Sequence, residues 1–409
     1  MKIYIENLGA LRQAEFSLGE MTIICGCNNT GKTYATYALY GFLSYWREAM
    51  TININDKEIE KLLVEGTVHL DLSDYIINAD KILSDGCNSY TRQLSIIYAA
   101  NKDRFKDTKF QITLAPGDIQ PMEKFNRAIR SAAKTEIFSI SKSAENMVLL
   151  ITLLIEKSKV KVSKSVIKEL IGNSIKDIIF GHLFPEPFIA SAERTGSAIF
   201  RKELNFARNR LIEEIGQGDK NIDPRELLFK AYQDYALPVK DNVDFTRQIE
   251  TLSKKTSWIA ENHPTVLKDF SDIIGGEYTV TRNDELYYIP SGKRIKLTMD
   301  ESSSAVRSLL DIGFYLRHVA SPGDLLMVDE PELNLHPENQ RRIARLFARL
   351  INLGIKVFIT THSDYLLKEL SFLIMLKQDK PHLKRILKRE KYQQEELVSS
   401  DKIKVYIAE

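Results

Sequence analysis

The sequence predicts an α/β fold: a mixed or parallel sheet with helices on its faces, split by a mainly helical insertion. Three observations carry this. A short apolar strand, Met21-Thr22-Ile23-Ile24-Cys25, runs into a glycine loop and then into a helical stripe. Between Leu325 and Thr361, strand, helix and strand alternate, the pattern of parallel strands joined by crossover helices. From about residue 163 to 262, helical periodicity dominates. The expected division is 1–140, 141–275 (the insertion) and 276–409, with the first and last parts completing one body.

Taken in order, residues 2–5 and 13–18 read as short strands ahead of 21–25. After Lys32, the residues Ala35, Ala38, Leu39, Phe42 and Trp46 recur at helical spacing and predict a helix packed on the sheet. The tyrosines beside them (Tyr34, Tyr37, Tyr40, Tyr45) are better read as core than as a ligand platform. Residues 51–140 look mixed, with strands at Val68–Leu72 and Phe110–Leu114, and 141–155 is apolar and fits either state. A strand is expected at Phe188–Ser191 and a loop at Gln217–Asp219. Two or three strands should surround Pro290-Ser291-Gly292, followed by a helix from about Ser304 to Ala320. The remainder reads strand 325–328, helix 338–352, strand 356–361, helix 363–370, strand 372–376, and a last strand at Lys404–Ile407. No heptad pattern persists, so long coiled-coil arms are not expected.

The bulk numbers narrow the class. The 409 residues suffice for a sizeable core and for more than one domain. The 44% hydrophobic and 27% charged content is that of a globular chain. Lys plus Arg (57) nearly cancels Asp plus Glu (55), so any nucleic-acid contact must come from local patches. Two basic stretches are candidates: Glu156–Lys168, with Lys157, Lys159, Lys161, Lys164 and Lys168, and Lys377–Lys391. Each could face phosphate backbones or an acidic partner, with a solvated helix face as the default. Cys25, Cys27 and Cys87 are too few for a disulfide framework, and Cys25 and Cys27 are at most half a zinc site. The N-terminus lacks a signal-peptide core, and the longest apolar run, Met147–Ile155, is too short to span a bilayer. A cytoplasmic protein without membrane contact is the expectation.

Three motifs carry chemistry. Gly26-Cys27-Asn28-Asn29-Thr30-Gly31-Lys32-Thr33 has the glycine spacing that lets backbone N–H groups curl around a phosphate. Lys32 adds a cation, Thr33 a hydroxyl for Mg²⁺, and the helix start its dipole. The strand before and the helix after are what the motif requires. Asp329-Glu330 ends an apolar strand, where Asp329 can hold Mg²⁺ and Glu330 can polarise an attacking water. His362 closes the strand Val357–Thr361, where an imidazole could meet a γ-phosphate.

In this order, Gly26–Thr33, Asp329-Glu330-Pro331 and Thr361-His362-Ser363 resemble the ABC-type ATPase heads shared by SMC-like proteins. The run Glu330-Pro331-Glu332-Leu333-Asn334-Leu335-His336-Pro337 is similar to the AAA15/AAA21 branch, which includes the overcoming-lysogenisation-defect ATPases. The likeness covers roughly residues 1–45 and 295–376 with specific motifs, and the middle only loosely. It implies an ABC-type ATPase head that binds and hydrolyses ATP with Mg²⁺. Lys32 and Thr33 would be the Walker A pair, Asp329 the Walker B acid, Glu330 the catalytic base and His362 the switch histidine. Glu332 to His336 would form the D-loop at a dimer seam.

The likeness also implies head-to-head pairing, as a dimer or higher homo-oligomer, in which a signature helix from one copy caps the γ-phosphate on the other. Ser302, Ser303 and Ser304 are the candidates, since hydroxyls and free N–H groups at a helix start suit an anion. A plain N-cap would need only one of them. The usual glycines are absent, Ser304 standing where one is often found. No Q-loop glutamine can be placed. Arg194, after a strand, is expected either beside phosphate or in a surface ion pair. The 47 residues after His362 leave too little length for a nuclease domain of about 100 residues. A head of this branch without arms or nuclease resembles the ATPase subunits of two-gene anti-phage systems. That implies a sensor and scaffold holding a separate effector protein until a phage protein triggers release. An ATP-dependent DNA-binding clamp is the alternative.

Overall fold

The computed structural model describes the chain except residues 116, 131–134, 145, 156–161, 200–234, 282–284 and 379. The expected loop at Gln217–Asp219 and Lys157, Lys159 and Lys161 therefore lie outside the described residues. In chain order the strands are β1 (Lys2–Leu8), β2 (Leu11–Ser17), β3 (Met21–Gly26), β4 (Thr67–Asp71), β5 (Lys109–Thr113), β6 (Phe125–Arg130) and β7 (Glu136–Lys142). There follow β8 (Val148–Leu153), β9 (Pro187–Ala190), β10 (Gly276–Val280), β11 (Leu286–Pro290), β12 (Leu325–Asp329), β13 (Lys356–Thr361) and β14 (Ile403–Ala408).

The chain divides into two compact units. One comprises Met1–Glu6, Phe42–Gln93 and Thr108–Pro185; the other Asn7–Gly41, Leu94–Asp107 and Glu186–Glu409. The units interleave along the chain because strands distant in sequence pair with one another.

The larger unit is built on a five-stranded sheet in the order β14-β3-β13-β12-β9, and each of its four pairings is parallel. Every residue of β12 is buried, and only Lys356 of β13 is not. Strands covered on both faces read as apolar runs, which is how 325–328 and 357–359 read in the sequence, ahead of the polar Asp329, Thr360 and Thr361 at the strand ends. The helix Pro337–Asn352 supplies one cover, with Ile343, Ala344, Phe347, Leu350 and Ile351 buried. The helix Leu310–His318 is buried over nearly its whole length, from Leu310 to Leu316. Phe16 of β2 packs on Phe358 and Tyr406, with ring centroids 5.9 and 6.0 Å apart. Because all five strands run the same way, Gly26, Asp329, Thr361 and Ala190 end on one edge, the edge where parallel α/β sheets bind ligands.

Two expectations about this unit need correction. Residues 372–376 are not a strand: Asp364–Leu376 is one helix, capped by Ser363, whose Oγ accepts from the Leu366 N–H. Leu366, Leu370 and Leu373 fall on its buried face; a five-residue apolar run is compatible with either state, and the cap upstream decided it. The expected helix 304–320 is broken in two, Ser304–Ser308 and Leu310–His318.

The smaller unit holds a four-stranded antiparallel sheet, β4-β8-β7-β6, and an antiparallel pairing of Lys2–Glu6 with Lys109–Thr113. The ambiguous segment 141–155 thus contributes strand β8, with Leu149 and Ile151 facing inward. An aromatic cluster fills its interior: Phe42 meets Tyr90, Phe110 and Phe184 at centroid distances of 5.5, 5.4 and 5.5 Å. Asp177, on the helix Lys164–Phe180, is shared by Arg47 at 2.8 Å and Arg127 at 2.6 Å. Lys164 and Lys168 of the first basic stretch pair with Glu60 and Asp56. Among the described residues no helix is long and apolar enough to cross a membrane.

Candidate active site

β3 delivers the chain to Gly26, and the helix Lys32–Ala49 carries it away. Between them Asn29 and Gly31 take positive φ (63° and 87°), which turns the loop through its curl. A Cβ on Gly31 would sit 3.1 Å from the Leu11 side chain. Gly26 has a second reason to be glycine: at φ 151°, a Cβ there would lie 2.3 Å from the Ala408 carbonyl oxygen of β14. The Lys32 ammonium folds over the loop, donating to the Gly26 carbonyl at 3.0 Å and that of Cys27 at 2.6 Å.

The neighbouring strands bring the distant motifs to this loop. β13 lies between β3 and β12, with Thr361 opposite Cys25 and Thr360 opposite Asp329. Thr33 Oγ1 donates to Asp329 Oδ2 at 3.0 Å, and Thr360 Oγ1 donates to Asp329 Oδ1. Asp329 is only 1% exposed. Burial pushes its carboxyl above the usual range, and the bonds from Thr360 and Thr33 partly offset this. His362 Nε2 contacts Glu330 Oε1 at 2.8 Å, and Nδ1 lies 3.3 Å from the Gly26 carbonyl oxygen. Both partners are acceptors, so a ring protonated on both nitrogens satisfies both contacts and a neutral ring only one.

Asn28, Asn29, Thr30, Gly31, Lys32, Thr33, Glu330 and His362 line a single cavity of about 380 Å³, with Ala10 and Tyr34 completing the wall. The residues fit a nucleotide and its metal. Thr33 and Asp329 present two hard oxygens side by side. Among the described residues, no cluster of three or more His, Cys, Asp or Glu could cage a metal. Mg²⁺ beside a nucleotide would need no more than these two, since one or two protein oxygens hold the ion while phosphates and water complete its shell. Ser302, Ser303 and Ser304 are not part of this cavity wall. The Ser302 hydroxyl is buried and donates to the Thr298 carbonyl at 2.7 Å. Ser303 caps the helix Ser304–Ser308, and Ser304 Oγ accepts from Arg307 at 3.3 Å.

Several features were not legible in the sequence. Arg194 is not in a surface ion pair: it is 1% exposed and donates to main-chain carbonyls, those of the acid pair Asp329 and Glu330 among them. Glu193, in the turn between β9 and the helix Arg194–Ile199, accepts from Tyr37 at 3.0 Å. Burial first, then the charges of Glu193 and Asp329, raise the Tyr37 hydroxyl, which stays a donor. Glu332 binds back onto the histidine strand, its Oε1 accepting from Thr361 Oγ1 at 2.8 Å and the His362 N–H at 2.7 Å.

A glycine loop, a metal-competent acid and a carboxylate–imidazole pair on the C-terminal edge of a parallel sheet define a P-loop nucleotide-binding site. The chain belongs to the AAA ATPase domain family (AAA_15), whose model matches residues 1–367. No curated protein matches it. Among solved structures it is similar to an Smc head bound to the C-winged helix domain of ScpA, at 12% identity, TM-score 0.33, and 90% and 91% coverage of the two chains. It is also similar to an Smc head with an extended coiled coil bound to the C-terminal domain of ScpA from Pyrococcus furiosus (13%, 0.31, 90% and 90%). A third is the SMC head from Thermotoga maritima (10%, 0.28, 90% and 90%).

Proposed function

We propose that the chain binds and hydrolyses ATP as an ABC-type head. The observation that carries this is one cavity walled by Lys32, Thr33, Glu330 and His362, with Asp329 bonded to Thr33 beneath it. In this reading the loop N–H groups and Lys32 hold the β- and γ-phosphates, and Thr33 and Asp329 hold Mg²⁺. The bound ion would neutralise charge building on the transferred phosphoryl group. Glu330 orients and polarises the attacking water, and His362, now bonded to Glu330, would turn toward the γ-phosphate. Two copies pair head to head, each completing the other's site through Ser303 and Ser304, whose side chains are exposed.

We infer further that this head is the sensor and scaffold subunit of a cytoplasmic anti-phage complex that holds a separate effector, a nuclease. Its motif run resembles the ATPase subunit AriA of the PARIS system, and next the Septu ATPase PtuA. Measuring Mg²⁺-dependent turnover of the purified chain tests the chemistry. Isolation from cells carrying its genomic neighbours tests the role: a stoichiometric effector that dissociates on phage challenge is expected, and a chain that never carries one sinks it.

A DNA-binding clamp is the second reading, favoured by the helix Pro381–Arg389, where Lys384, Arg385, Lys388 and Arg389 are exposed around a buried Leu383. ATP-dependent DNA affinity that falls steeply with salt would favour it, and no binding at low salt would remove it.

A further inference from the structure

We propose that Arg194 is a positioning residue for Glu330, holding the acid's main chain in place and tying it to the short helix that carries the candidate capping serines. The inference rests on the reading of Glu330 as the group that polarises water.

The guanidinium is buried, and each of its four bonds among the described residues goes to a carbonyl oxygen. Nε donates to Ser308 at 2.7 Å, Nη1 to Ser191 at 2.8 Å and to Asp329 at 2.6 Å, and Nη2 to Glu330 at 2.8 Å. Burying a cation so fully is costly unless its donors are satisfied, and here a planar fork matches fixed carbonyls. What those carbonyls belong to is informative. Glu330 has φ 51°, a left-handed conformation that a residue with a long side chain adopts only when its surroundings enforce it. Its N–H donates to the Thr360 carbonyl at 3.1 Å, and its own carbonyl is taken by Arg194. The peptide is thereby held at both ends, and the side chain is aimed at His362 and the cavity.

Ser308 closes the circuit. It is the last residue of the helix Ser304–Ser308, and its hydroxyl also donates to the Leu333 carbonyl at 3.1 Å, three residues past Glu330. Displacement of that helix, as a second head would impose on Ser303 and Ser304, is therefore carried through one rigid side chain to the main chain of the acid pair. Charge alone is not the point, since a lysine could neutralise the same field but has no fork to span four carbonyls.

The experiment compares Arg194→Lys and Arg194→Ala in the wild-type and Glu330→Gln backgrounds, reading kcat, KM and the affinity for a fluorescent ATP analogue. In the wild-type background, kcat should fall on the order of 100-fold for either variant, as a misplacement of about 1 Å does, with KM and analogue affinity within about threefold. In Glu330→Gln protein, residual single-turnover hydrolysis should be insensitive to Arg194, because no carboxylate remains to be aimed. Arg194→Lys carries the test if the alanine variant does not fold. A full, multiplicative loss in the Glu330→Gln background, or a change confined to KM and affinity, overturns the proposal. Wild-type turnover by Glu330→Gln alone would instead overturn the assignment of the base.

Discussion

Thr33 Oγ1 rests 3.0 Å from Asp329 Oδ2, although 296 positions separate the two residues in the chain. The contact joins the first turn of the loop helix to the end of β12. On the proposed reading, these two oxygens hold the Mg²⁺ of a bound triphosphate. Thr33→Ala should weaken Mg²⁺-dependent ATP binding by on the order of tenfold, leaving the weaker metal-free binding unchanged. Titration with and without Mg²⁺ checks this.

The same pair predicts a pH dependence. Asp329 must be ionised to hold Mg²⁺, and burial raises its carboxyl above the usual range. Protons therefore compete with the metal at higher pH than they would at an exposed aspartate. Mg²⁺ affinity should decline on acidification before an ordinary carboxylate begins to titrate, and Asp329→Asn should flatten that decline. Calorimetric titration in buffers of different ionisation enthalpy would register the proton released.

Glu330→Gln keeps the shape of the side chain and removes its basicity. ATP should still bind, while turnover falls on the order of 10²–10⁴-fold. Two copies locked around nucleotide should then accumulate and be visible by size-exclusion chromatography with ATP. Unchanged turnover would show that another group activates the water.

Gly26→Ala probes the sheet rather than the phosphate loop. The added methyl would strike the Ala408 carbonyl 2.3 Å away, from a backbone conformation that side chains resist. β14 pairs with β3 from Ile403–Met21 to Ala408–Gly26, so the strand end must move. A loss of roughly 2–4 kcal/mol is expected in denaturant unfolding, even without nucleotide.

Asp311 gives a stability signature. It is 2% exposed; Thr246 donates to Oδ1 at 3.2 Å, and Oδ2 has no hydrogen-bond partner among the described residues. Burial pushes its carboxyl up to about 7. The folded state then keeps a proton that the unfolded chain releases near 4, so the stability this confers is full below about 4 and fades as pH rises to about 7. Asp311→Asn removes that slope. The variant should gain on the wild type by roughly 1–3 kcal/mol between pH 4 and 7, read from denaturant midpoints.

Local chemistry made part of this molecule legible. The loop Gly26–Thr33 was readable because glycine spacing and flanking periodicity are properties of neighbouring residues. β12 and β13 were readable because burial on both faces demands apolar runs, here 325–328 and 357–359. By the same logic the run 372–376 could not be typed by its own residues, since five apolar side chains suit a buried strand and a helix alike. The burial of Arg194 was not readable, because nothing adjacent in the chain announces carbonyls supplied by Ser308, Asp329 and Glu330. The sequence alone determined the chemical groups available and the strands that bear them. Only tertiary structure decided their meeting: which strand lies between β3 and β12, what holds Glu330 at a positive φ, and that Ser302 spends its hydroxyl within its own turn. Spacing records covalent neighbours, whereas strand order and buried hydrogen bonding are settled by groups hundreds of residues apart, when the core closes.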